Sequence, residues 1–100
     1  QYQAKPGKRD EFVRLMEAEI IPFQVSKGMV IVGSFTGEED DNLYVWIRRF
    51  DDEAQRVAQY EAVYQSDYWV DDVSPRVGEL LHRDTISVTR MNPTALSMLK

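Results

Sequence analysis

One run of residues, Leu43-Tyr44-Val45-Trp46-Ile47-Arg48-Arg49-Phe50, limits what this chain can fold into more than any other stretch. Side chains of an extended strand point alternately to its two faces, so Leu43, Val45 and Ile47 line one side and Tyr44, Trp46, Arg48 and Phe50 the other. Neither side suits water, and the run predicts a central strand in a sheet covered on both faces. A chain of 100 residues buries roughly 60 to 65% of its unfolded surface. One cover is therefore expected from its own helices and the other from a second copy.

The remaining segments supply the elements around that strand. Gln1 to Lys5 reads as the end of a first strand, and the lack of an initiator Met leads to the expectation that a few N-terminal residues are absent. After the Pro6-Gly7 turn, Phe12, Leu15, Met16, Ile20 and Phe23 recur at intervals of three and four, the stripe of an amphipathic helix. Asp10 and Glu11 suit its first turn. Pro22 predicts a kink or break between Ala18 and Pro22, and Gly28 a left-handed stop. Met29 to Thr36 reads as a strand with Met29, Ile31, Gly33 and Phe35 on one face and Val30, Val32, Ser34 and Thr36 on the other. The acidic stretch Gly37 to Asn42 then joins it to the central strand as a hairpin. That tip lacks the alternating oxygen ligands of a calcium loop, so it is read as solvated.

Asp51-Asp52-Glu53 offers a carboxylate cap to a second helix, with Val57, Tyr60 and Tyr64 on one face and Ala54, Ala58 and Ala62 permitting close approach to the sheet. Gln65-Ser66-Asp67 caps a shorter segment carrying Tyr68, Trp69 and Val73, and Val77, Leu80 and Leu81 form a further apolar patch. Thr85 to Met91 alternates again and predicts a last strand. The order strand, helix, strand, strand, helical region, strand is an α+β, ferredoxin-like pattern: a four-stranded antiparallel sheet with helices on one face. Residues 1–92 form this one domain, and 93–100 a tail whose Leu96, Met98 and Leu99 are expected to pack on a partner subunit.

A net charge of −5 without a basic stripe argues against nucleic acid and anionic membranes as partners. No apolar run reaches the length of about 18 to 20 residues that spans a bilayer. The absence of cysteine removes disulfides, thiolate nucleophiles and zinc-thiolate sites, and fits a cytoplasmic setting.

The phrases Lys5-Pro6-Gly7-Lys8-Arg9-Asp10-Glu11-Phe12, Ile20-Ile21-Pro22 and Gly28-Met29-Val30-Ile31-Val32-Gly33-Ser34-Phe35 resemble the NIPSNAP family. So do Tyr44-Val45-Trp46-Ile47-Arg48-Arg49-Phe50 and Tyr64-Gln65-Ser66-Asp67-Tyr68-Trp69, in the same order along nearly the whole chain. The resemblance implies a dimeric α+β barrel, in which two ferredoxin-like sheets close on each other. That architecture also serves small cofactor-independent monooxygenases, haem-degrading enzymes, chlorite dismutase-like proteins and lactone isomerases, which hold ligands between sheet and helices. It brings no catalytic motif and implies no cofactor, and fold alone does not assign chemistry.

Five residues are expected at a ligand pocket: Tyr44, Trp46 and Arg48 on one face of the central strand, and Tyr64 and Trp69 where the second helix bends over the sheet. Aromatic rings give flat apolar area, and arginine a fork of donors for an anionic group. Core packing is the commoner use of such residues. His82, the only histidine, is a weak candidate proton shuttle or haem ligand, and no multi-histidine metal site exists. Glu19, beside the apolar stripe, is a weak candidate base if paired with Arg48 or Arg49 and raised in pKa by burial. A homodimer binding a small hydrophobic or aromatic molecule, with monooxygenase-type activity, is one expected function. A non-catalytic homodimeric interaction module is the other.

Overall fold

The computed structural model describes residues 1–100. Its elements are β1 (Tyr2–Gln3), α1 (Arg9–Leu15), α2 (Ile21–Ser26), β2 (Val30–Thr36), β3 (Leu43–Arg49), α3 (Glu53–Tyr64) and α4 (Ser74–Leu80). The strands form one antiparallel sheet in the order β1-β3-β2, so the run that opened the sequence analysis is its central strand.

Lys5-Pro6-Gly7-Lys8 makes the turn out of β1. The Lys8 amide donates to the Lys5 carbonyl at 2.9 Å and Gly7 has φ 76°, the positive value that a type II turn requires at its third position. Of the kink or break expected between Ala18 and Pro22, the chain shows no break: the helix runs on from Arg9 to Ser26, with Met16–Ile20 in π-helical geometry. Proline lacks an N–H and its ring crowds the carbonyl four residues earlier; a widened turn just before it relieves both conflicts. The same device recurs at Tyr68–Val73, directly ahead of α4 and Pro75.

A bulge between Ile31 and Gly33 resets the alternation of β2. Ile31 pairs with Arg48, Ser34 with Trp46 and Thr36 with Tyr44 on the helix side, while Val30 joins Gly33 and Phe35 opposite Arg49, Ile47 and Val45. The expected grouping of Met29, Ile31, Gly33 and Phe35 on one face is thus corrected by one residue of slip. Gly33 lets the Phe35 ring fold over the outer face: a Cβ there would stand 2.5 Å from that ring and push it aside.

The fourth strand expected over Thr85 to Met91 is absent. Residues after α4 do run beside β1, with the Lys5 amide on the Leu80 carbonyl, the His82 amide on the Gln3 carbonyl, and two bonds exchanged between Gln1 and Ser87. Between them the Thr85 amide and hydroxyl both donate to the His82 carbonyl, closing a 3₁₀ turn at Arg83–Thr85 that interrupts the ladder.

All helices lie on one side of the sheet, where Phe12, Met16 and Ile20 meet Tyr44, Val73, Val77 and Leu81 in the core. On α3 the Asp52 carboxylate caps the helix through the Gln55 amide at 2.7 Å, as the sequence predicts. Its packing face differs in part: Tyr60 and Tyr64 turn to Arg48 on the sheet as expected, but Val57, Ala54, Ala58 and Ala62 are exposed and Val63 is the buried contact. No helix covers the outer face, where Val30 is 44% and Phe35 55% exposed. In the tail, Leu96 and Met98 are almost wholly in solvent.

Candidate functional site

Both π-helical segments contribute to one cavity of about 230 Å³ between sheet and helices. Met16 and Ile20 come from the first and Trp69 from the second, so the prolines that widen these turns also shape the wall. From the sheet come Tyr2 and Trp46, and from the end of α3 comes Tyr64. The 3₁₀ turn that replaces a fourth strand brings Arg83 and Ile86 to the exposed part of the wall. Ten of the eleven lining residues are hydrophobic or aromatic, which suits an apolar occupant. Drug-sized ligands occupy about 300 to 1,000 Å³. This smaller space takes one or two fused rings.

Aromatic contacts fix the wall. The Tyr2 ring meets Phe12 edge-on at 5.7 Å and lies parallel to Tyr44 at 6.2 Å, while Tyr64 meets Trp69 edge-on at 4.8 Å. Trp46 Nε1 donates to Tyr2 Oη at 3.1 Å. Burial pushes the Tyr2 phenol up to about 12, so it stays protonated at neutral pH.

Behind Trp46 and Tyr64 stands Arg48. Its guanidinium donates to Tyr64 Oη at 2.8 Å, Tyr60 Oη at 2.6 Å and Gln24 Oε1 at 3.2 Å, and sits 4.5 Å from the centre of the Trp46 ring. No carboxylate pairs with it. Instead, phenol oxygens, the fully buried Gln24 and an indole face solvate the cation. Arg48 thereby holds two wall residues in place from outside the cavity.

Of the five pocket residues expected from sequence, Trp46, Tyr64 and Trp69 line the cavity. Tyr44 is 1% exposed in the core, with its hydroxyl 2.6 Å from Ser34 Oγ, and does not reach the wall. Glu19 lies on neither Arg48 nor Arg49. Arg76 grips both its oxygens, at 2.5 and 2.8 Å, and the Tyr68 hydroxyl donates at 3.0 Å. The Arg76 bonds outweigh partial burial and hold this carboxyl below its ordinary value, the reverse of a base raised by desolvation. His82 is exposed and its side chain lies off the cavity.

Tyr2, Met16 and Ile20 were missed as wall residues. The last two share the Phe12 stripe and were legible as inward-facing; Tyr2 sits opposite Tyr44 only once the register is known. Ile86 was hidden by the expectation of a regular strand, and Arg83 stood just before that strand.

A model of the NIPSNAP family matches residues 1–97. The chain belongs to the NIPSNAP family. No curated protein and no solved structure matches it. In this NIPSNAP domain no helix is long and apolar enough to cross a membrane, and no group of three His, Asp or Glu side chains is placed to hold a metal ion.

Proposed function

We propose that this NIPSNAP chain works as a homodimer whose subunits each bind a small hydrophobic or aromatic molecule in the cavity between sheet and helices. The observation that carries the binding is the aromatic wall of Tyr2, Trp46, Tyr64 and Trp69 around about 230 Å³. Dimerisation rests on the apolar outer face of β2 and β3, which the chain's own helices leave open. In the dimer this face packs on its equivalent as a dimeric α+β barrel, with the segment after α4 serving as a fourth strand along β1. The lack of cysteine accords with a cytoplasmic setting.

Binding is the function, ahead of oxidation, because the cavity wall has no carboxylate and no imidazole. A monooxygenase-type reaction that began by taking a proton from its substrate would find no such base there.

The chain has two tryptophans and both line the cavity, which provides a direct test. In ¹⁵N-correlated NMR, added 2-ethylnaphthalene is expected to shift both indole N–H signals saturably, and Ile86→Trp at the exposed edge to weaken that response. Signals that stay fixed through the solubility limit would leave only the non-catalytic interaction module.

A further inference from the structure

The polar atoms of the cavity wall are unequally matched. Trp46 Nε1–H is used on Tyr2 Oη, and Tyr64 Oη receives Arg48 and Gln24. Arg83 is turned to the Ser74 hydroxyl at 3.1 Å and to the Ser74 carbonyl. Tyr2 and Tyr64 thus serve as acceptors within the chain, and neither phenolic O–H donates to a protein group. The wall therefore presents two phenolic O–H donors without a protein acceptor, while Tyr64 Oη already receives two hydrogen bonds and Tyr2 Oη one.

Resting on the binding function above, we propose that the occupant is a neutral, flat aromatic carbonyl compound whose oxygen accepts the Tyr2 hydroxyl hydrogen bond. A carbonyl oxygen accepts the Tyr2 O–H without bringing a donor of its own; an alcohol or amine adds an N–H or O–H that must compete for the one lone pair Trp46 leaves on Tyr2 Oη. An apolar hydrocarbon would leave the phenol unmatched in the cavity. An anion would need a cation on the wall, and the one present, Arg83, is exposed and engaged with Ser74, leaving the charge desolvated at a cost. Burial of the Tyr2 phenol keeps its proton in place for donation.

The test compares 2-acetylnaphthalene, its apolar counterpart 2-ethylnaphthalene and the anion 2-naphthoate on the folded chain, read from the Trp69 indole signal. The ketone is expected to bind roughly fivefold to tenfold tighter than the ethyl compound, the ratio that one net hydrogen bond supplies. Because loss of the Tyr2 hydroxyl would free the Trp46 N–H to substitute for it, the variants are Trp46→Phe and Trp46→Phe with Tyr2→Phe. The preference should persist in the first and fall to about one in the second. Equal binding of ketone and ethyl compound, or a preference that survives the double substitution, overturns the carbonyl assignment while leaving the cavity as a binding site. Tighter binding of 2-naphthoate overturns it in favour of an anion at Arg83. Binding of none of the three removes the binding function and this inference together.

Discussion

The two faces of β3 differ in what completes them. On the inner face, Tyr44, Trp46 and Arg48 are covered within the chain: Tyr44 by Phe12 and Tyr2, Trp46 by Tyr2 and Arg48, and Arg48 by Tyr60, Tyr64 and Gln24. On the outer face Leu43, Val45 and Ile47 meet Phe35 and Val30, and beyond those no helix. A strand that alternates aromatic and polar residues with aliphatic ones encodes two environments of different chemistry. The aromatic side builds a cavity with hydrogen-bonded walls; the aliphatic side offers only area, which is what an interface between copies uses.

The comparison is broken most severely at Phe12, which is fully buried and packs edge-on against both Tyr2 and Tyr44. Phe12→Ala should lower unfolding stability by about 3 to 5 kcal/mol, measured by urea denaturation, and should disperse the indole N–H signals of the cavity. A smaller loss is expected at Arg48. Arg48→Met should cost about 1.5 to 3 kcal/mol through its charged hydrogen bonds to Tyr60, Tyr64 and Gln24. Arg48→Lys should not restore it, since a single ammonium cannot span three oxygens held by a planar fork.

A smaller effect again belongs to the Glu19–Arg76 pair on the helical layer. Both side chains are more than a third exposed, so solvent screening limits Glu19→Gln to about 0.5 to 1 kcal/mol at neutral pH. Because the folded carboxyl is lowered from its ordinary 4.5, the contribution is complete above that value and is lost as pH falls through the folded value. Wild-type and variant melting curves should therefore converge once acidification has passed below the ordinary carboxylate range. A gap that persists there would show that Glu19 contributes through packing instead of charge.

How much of this was legible in the sequence follows the same division. The alternation in Leu43 to Phe50 was sufficient to find the central strand, and Trp46, Tyr64 and Trp69 to find part of the cavity. Alternation could not say which face the helices would take, since both are apolar. It also passed through Val32 and Thr85 as if the backbone were regular, whereas a bulge and a 3₁₀ turn change the phase at each. Arg48 was misjudged for a related reason. Its residue type suggests an anionic ligand, but two phenols and a glutamine from distant segments claim its donors, and such convergence exists only in three dimensions.

Sedimentation equilibrium of the wild-type chain beside Phe35→Ser tests the central contrast most directly. Phe35 is 55% exposed and belongs to the outer face, so its loss should change the stability of an isolated subunit by no more than about 0.5 kcal/mol. A wild-type dimer at micromolar concentration that Phe35→Ser converts to a folded monomer is the predicted result. A wild-type chain that sediments as a monomer throughout that range would contradict the assignment of one face to a ligand and the other to a second copy.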